Sequence, residues 1–153
     1  MRSLLNLDAE SDEPIDMLVS SPGGHVESGD AIHDVVHFIE APVHMIGTGW
    51  VGSAATHRDL SVPRERRVCL PFTRLLIHQP SGGSGGRATD VAIQAREIVK
   101  ARERIAKTIA RKTGQALARV LEDIDRDYWM SADEAIAYGL VSRVIERRQA
   151  LRS

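Results

Sequence analysis

A hydroxyl is a poor nucleophile at neutral pH until an imidazole takes its proton and a third group orients that imidazole. Three separated stretches of this chain hold the residue types such an arrangement needs. They are Gly52-Ser53-Ala54-Ala55, Ile77-His78-Gln79-Pro80 and the acid-rich run through Asp125-Arg126-Asp127-Tyr128. Ser53, His78 and Asp127 fit the parts of nucleophile, base and orienting acid. The glycine turn Ser21-Pro22-Gly23-Gly24 could supply backbone N–H donors to a developing oxyanion.

Each residue also has a plainer use. A serine after Gly52, at the mouth of a helix, often serves only as an N-cap. As a nucleophile it would instead have the helix N–H groups and dipole aimed at the reacting carbonyl, with the Ala54 N–H as one donor. The stretch is not the Gly-x-Ser-x-Gly elbow, because Ala55 stands where the second glycine belongs. Two histidines compete for the part of base. His57 lies four residues beyond Ser53, on the same face of a helix, and His78 ends an apolar strand before a glycine-rich loop. Spacing alone leaves them even. His25, His33, His37 and His44 have no partner in view and read as solvated or packed. Among Glu122, Asp123, Asp125 and Asp127, the last adjoins apolar Tyr128-Trp129-Met130, which would bury it and make it want an imidazolium partner.

The elements that must position these groups alternate along the chain. Residues 2–9 read as the tail of a helix, 15–20 as a short buried strand, and 28–39 as a helix with Ala31, Ile32, Val35, Val36 and Ile39 on one face. Pro42 ends that helix, and a strand follows over 43–47. A helix is expected over 53–61, strands over 67–70 and 74–78, and a flexible segment over 81–86. One long amphipathic helix spans 89–113, closed by Gly114, and another covers 117–124. Ser131-Ala132-Asp133-Glu134 is a capping box opening a short helix that Gly139 ends, before a last strand over 140–145 and a charged tail. Alternating strands and helices indicate an α/β protein.

Composition narrows the function. The 153 residues carry a formal net charge of −1 and only 4% aromatics, which argues against a nucleic-acid surface. Hydrophobic residues at 42% and charged residues at 27% are ordinary for a globular chain. Cys69 is the single cysteine, so no disulfide can form within the chain. No apolar run approaches the ~20 residues of a membrane span, and the acidic start lacks a signal-peptide core. The glycine run at 81–86 has no Gly-Lys-Ser/Thr after it and is no phosphate loop, though it could pair with an extended peptide. No cluster has zinc spacing, and no metal is expected.

Together these stretches resemble the proteolytic subunit of the Clp protease, a peptidase of the crotonase-like superfamily. The similarity runs nearly continuously from residue 15 to about 145. It includes Ser-Pro-Gly-Gly at 21–24, the glycine turn at 49–53, Arg-Val-Cys-Leu-Pro at 67–71 and Ile-His-Gln-Pro at 77–80. It continues through Gly-Arg-Ala-Thr-Asp at 86–90, Ala-Arg-Glu-Ile at 95–98, Arg-Asp-Tyr-Trp-Met-Ser-Ala at 126–132 and Glu-Ala-Ile-Ala-Tyr-Gly-Leu-Val at 134–141.

The resemblance implies a ClpP/crotonase-like α/β fold of repeated ββα units with a protruding handle helix, as a single domain over 1–148 and a charged tail over 149–153. It implies a serine endopeptidase that cuts unfolded polypeptides through an acyl-enzyme and uses no cofactor; the single cysteine and the lack of a signal-peptide core or membrane span make the cytoplasm the expected location. By motif, Ser53 is the nucleophile, His78 the base and Asp127 the orienting acid, with the N–H groups of Gly24 and Ala54 as oxyanion donors. Gly24, His25 and Val26 on one side, and Ser81, Gly82, Gly83 and Ser84 on the other, match strips that hold an extended peptide. The family stacks seven-membered rings in pairs around a sealed chamber fed by an AAA+ unfoldase.

Two departures accompany this. The family's axial loops, N-terminal strand and most of its first helix have no counterpart before Leu4, and those parts contact the unfoldase. The helix after the nucleophile is apolar in the family but reads His57-Arg58-Asp59 here, and burying that pair costs several kcal/mol unless it finds partners. These departures motivate a second expectation, an inert ClpP-like subunit of a mixed ring. A third and weaker one is an acyl-thioester enzyme using only the oxyanion donors.

Overall fold

A computed structural model describes residues 1–83 and 85–151. Its strands carry Val, Ile, Leu and Met on both faces, the pattern of a sheet covered on both sides. β1 (Ile15–Ser21) and β2 (Val43–Gly52) pair in parallel, Ile15–Val19 opposite Val43–Gly47 and, after a shift of register, Ser21 opposite Val51. The opposite edge of β2 takes two strands in succession. β3 (Arg67–Cys69) pairs with residues 45–47 and β4 (Arg74–Ile77) with residues 50–52, both in parallel. β6 (Arg143–Val144) extends the sheet from β3. β5 (Tyr128–Met130) adds to β4 as the one antiparallel pairing among the described residues. β2 is thus shared, with β3 and β6 continuing the sheet from its first half and β4 and β5 from its last residues.

The helices pack around it. α1 (Arg2–Glu10) is anchored by buried Leu4 and by Asp8, which accepts from the N–H groups of Glu40 and Ala41. α2 (Val26–Phe38) meets α3 (Ala54–Asp59) at Gly29, where a side-chain carbon would come within 3.2 Å of Ala54. α4 (Ala88–Thr113) is 26 residues long and buries only Ile105, Ala106, Thr108 and Ile109, all in its second half. Its first half projects, exposing Val91, Ile93 and Val99, in keeping with a handle. It ends at Gly114, whose left-handed backbone suits glycine. α5 (Leu117–Asp123) follows. α6 (Ala132–Tyr138) starts at the expected capping box, with Ser131 and Glu134 bonded reciprocally.

Three expectations about elements need correction. β2 runs on to Gly52, absorbing the region read as a turn at 49–53. The strand expected over 140–145 is reduced to Arg143–Val144, because Leu140 and Val141 sink into the core instead. Residues 146–151, the described part of the tail, do more than carry charge. A 3-10 turn at Arg148–Leu151 packs Leu151 on Ile46, Val68 and Ile145. Arg67, wholly buried, ties helix ends together by donating to the carbonyls of Leu140 at 3.0 Å and Lys112 at 2.9 Å.

Candidate active site

β2 delivers Ser53 at its end, where the chain turns sharply into α3. Ser53 adopts φ 56° and ψ −122°, and it is the one non-glycine residue with positive φ among those described. Such backbone is strained, and the surroundings hold it in place. The Ser53 N–H donates to the Leu76 carbonyl at 3.0 Å. The Thr56 hydroxyl donates to the carbonyls of Val51 and Leu76, at 3.1 and 2.9 Å. From the other side Gly23 presses on the serine. A side-chain carbon there would lie 2.6 Å from the Ser53 Cβ and 2.9 Å from the Gly52 carbonyl, so only glycine fits. Ser21 braces this turn through its hydroxyl and the Gly23 N–H.

The β4–β5 register then sets the other two groups. Leu75, Leu76 and Ile77 face Met130, Trp129 and Tyr128, so the next pair along the ladder is His78 and Asp127. Their side chains meet, His78 Nδ1 to Asp127 Oδ1 at 2.8 Å. Gln79 clamps the same loop, its N–H donating to the Ile124 carbonyl at 2.6 Å and its side-chain amide to the Asp125 carbonyl at 2.9 Å. With Nδ1 taken by the carboxylate, Nε2 is the atom left for a reacting proton. Asp127 differs from expectation in one respect. Its side chain is 63% exposed, because β5 is an edge strand and the neighbouring Trp129 turns toward Trp50 and Arg74 instead of covering the acid.

The two histidines that local spacing could not rank are now distinct. His57 is buried at 7% exposure, with Nε2 3.0 Å from Asp30 and its ring stacked on His33. Burial lowers its pKa. His78 is open to the cleft and carries the other carboxylate. Several histidines read as partnerless do have partners: His44 meets Asp16 at 3.1 Å, His25 meets Glu27 at 3.2 Å, and His33 stacks between His37 and His57.

Ser53, Ala54, Val26 and His78 line one narrow cleft, completed by Thr56, His57, Ile77, Pro80, Ile105 and Ile109. An adjoining groove takes in Gly24, His25 and Val26 on one wall and Ser81, Gly82 and Gly83 on the other. Ser84 lies outside the described residues. Gly82 sits close on the Ile98 side chain, which fixes that wall against α4. Ser53 makes no hydrogen bond to His78 among the described residues; in an empty site such contacts often close only on a bound substrate. Gln79 and Thr56 were not singled out from sequence, and Gln79's place inside the Ile-His-Gln-Pro run was the available signal.

Asp59 is buried and Arg58 mostly so, but their closest approach is 4.0 Å, and among the described residues Arg58 Nε and Asp59 Oδ1 find no hydrogen-bond partner. Burial pushes the Asp59 carboxyl up to about 7 against the pull of Arg58 and Arg67. Among the described residues no group of His, Cys, Asp and Glu side chains is arranged to hold a metal ion, and no helix is long and apolar enough to cross a membrane.

Comparison with known proteins adds independent findings. The sequence model of a family described as Clp protease matches residues 1–148. The ATP-dependent Clp protease proteolytic subunit 3 of Rhizobium etli is 60% identical over 142 residues, covering 93% of this chain and 73% of the relative. The ATP-dependent Clp protease proteolytic subunit 2 of Gluconobacter oxydans is 57% identical over 151 residues, covering 97% of this chain and 68% of the relative. A solved structure of a ClpP1 mutant from Listeria monocytogenes superposes with a TM-score of 0.91 at 45% identity, covering 98% of this chain and 84% of that one.

Proposed function

The chain belongs to the Clp protease family, a family of serine peptidases, and from that premise we propose that Ser53, His78 and Asp127 perform its peptide hydrolysis. The observation that carries this is the His78–Asp127 hydrogen bond at 2.8 Å, beside a serine held at positive φ in the same cleft. Asp127 accepts from His78 Nδ1–H and fixes the tautomer, so that Nε2 takes the Ser53 proton as Oγ attacks the scissile carbonyl. The N–H groups of Gly24 and Ala54 receive the oxyanion. His78 then gives its proton to the leaving amine, and water releases the acyl group from Ser53 by the reverse sequence.

The polypeptide lies extended between residues 24–26 and the wall at 81–83, where backbone pairing makes binding tolerant of sequence. The chain acts as the proteolytic subunit of an ATP-dependent Clp-type protease in the cytoplasm. It assembles in seven-membered rings stacked in pairs, and an AAA+ unfoldase feeds it unfolded chains. The unpaired apolar residues Val91, Ile93 and Val99 on the projecting half of α4 support assembly, since a lone soluble chain gains nothing by exposing them. An inert ring subunit is not favoured, because every position of the triad motif is filled.

The test is fluorophosphonate labelling of the assembled oligomer, with its mass measured by sedimentation and its activity followed on a short fluorogenic peptide. Label on the wild type and none on Ser53→Ala is the expected result. Equal labelling of both, or none on an assembled wild type, removes the reading.

A further inference from the structure

The cleft beside Ser53 has a mouth and a floor of different character. Ser53, Ala54 and His78 stand at the mouth, each partly exposed. Thr56 and His57 from α3, Ile77 from β4, and Ile105 and Ile109 from α4 close the floor, and all five are buried. The free space within is about 20 Å³. A single water needs roughly 10–15 Å³, so the cleft takes a water or a methyl group and little more.

The floor is braced at every residue. Thr56 spends its hydroxyl proton on the Val51 and Leu76 carbonyls. His57 has Nε2 3.0 Å from Asp30 Oδ1 and its ring stacked on His33. Ile77 ends a strand paired on both edges, with β2 and with β5. Ile105 and Ile109 lie one turn apart on α4, beside the wholly buried Ala106. That stretch of helix is held on two flanks: Arg104 pairs with Asp30 on α2, and Arg102 donates to the Leu121 carbonyl on α5 at 3.2 Å. A floor so held yields little to an oversized group, since each added methylene must displace packed atoms.

Chemistry decides which substrate side chain meets this floor. The scissile carbonyl carbon bonds to Ser53 Oγ, so the residue on the acyl side of the cut is the one whose side chain reaches a cleft opening at Ser53 and His78. We infer that Ile105 and Ile109 are specificity-determining residues, which restrict that position to glycine, alanine or serine and turn away leucine, methionine and phenylalanine. The inference rests on Ser53 being the nucleophile, since that makes the cleft the substrate's side-chain pocket.

The experiment uses the assembled wild-type protein and fluorogenic peptides that differ only in the residue before the scissile bond: alanine, leucine or phenylalanine. Alanine is expected to be favoured over each of the others by roughly tenfold or more in kcat/KM. A wild type that cuts the leucine or phenylalanine peptide as well as the alanine one overturns the inference. Ile105→Ala and Ile109→Ala, made singly, deepen the cleft, and in at least one of them the leucine-to-alanine ratio is expected to rise by roughly tenfold. A merely structural role would lower kcat/KM for every peptide alike, and a ratio that moves in neither variant also overturns the inference. If an alanine variant fails to fold, Ile→Val at the same position removes one methyl and must move the ratio in the same direction. A second readout needs no variant: a peptide aldehyde ending in alanine is expected to inhibit the wild type at least tenfold more tightly than one ending in leucine, and equal or reversed binding counts against the role. Failure of the underlying reading is separate and visible, because the wild type would then take no fluorophosphonate at Ser53, whereas failure of the inference alone leaves that labelling intact.

Discussion

Replacing Asp59 by asparagine should stabilise the protein, and by an amount that depends on pH. Asp59 ends α3, is 5% exposed, and among the described residues has an oxygen with no hydrogen-bond partner and no cation closer than Arg58 at 4.0 Å. Its carboxyl titrates near 7 in the folded chain, against 3.8 for the free group. The folded protein thus retains a proton that the unfolded chain releases, so wild-type stability falls as pH rises from about 4 through 7. Roughly three pKa units at about 1.4 kcal/mol each set the penalty at up to about 4 kcal/mol once Asp59 is ionised. Asparagine copies the shape of the neutral acid and escapes that penalty. Asp59→Asn should gain up to about 4 kcal/mol at pH 8 and less than about 1 kcal/mol at pH 4. Urea unfolding at pH 4, 6 and 8, followed by the fluorescence of Trp50 and Trp129, measures both. A heat scan at pH 8 should show a rise of roughly 2–4 °C for each kcal/mol gained. A gain equal at pH 4 and pH 8 would refute the ionisation argument, and a loss at pH 8 would show that Asp59 is needed by its neighbours as an anion.

Asp127→Ala should lower kcat on a fluorogenic peptide by roughly 10²–10⁴-fold with little change in KM, since it frees His78 without touching the peptide groove; a kcat within threefold of wild type would count against the role. Gly23→Ala should slow fluorophosphonate labelling of Ser53 at least tenfold, because the new carbon lies 2.6 Å from the serine Cβ and the backbone there has φ 110°. A wild-type labelling rate would mean the turn is not seated on Ser53 in solution. Arg67→Met should cost roughly 2–4 kcal/mol in chemical denaturation, as the buried carbonyls of Leu140 and Lys112 lose their donor. An unchanged midpoint would show that those carbonyls find other partners.

Local sequence reasoning reached the elements whose signals are themselves local. The capping box at Ser131, the glycine stops at 114 and 139, and the apolar face of α2 follow from spacing within one or two turns. It missed β5 because three residues, Tyr128-Trp129-Met130, are too few to display an alternation; only β4 beside them makes them a strand. It stopped β2 early because Gly47, Gly49 and Gly52 look like a turn; Gly49 does take a positive φ of 61° where the β1–β2 register shifts, but Ser21 and β4 pair with residues 50–52 and carry the strand past it. The site divides the same way. That Ser53 opens a helix was legible, but the choice between His57 and His78 was not, since each finds its carboxylate on a distant element. Family motifs assigned His78 where spacing could not. The exposure of Asp127 was hidden for a related reason: apolar neighbours in sequence bury a carboxylate only when they fold over it, and Trp129 folds the other way.

The shared carbonyl of Leu76 makes β4 a common datum for two of the three groups. The Ser53 N–H and the Thr56 hydroxyl both land on it, and His78 follows two residues later on the same backbone. The distance between serine and imidazole is therefore gauged over a very short path through a central strand. Asp127 reaches the imidazole from the opposite direction, on a three-residue edge strand with its side chain in solvent. Tolerances accumulate on that side alone. Any loosening of the edge uncouples acid from imidazole first and leaves serine and imidazole in register, so the site has a single adjustable member.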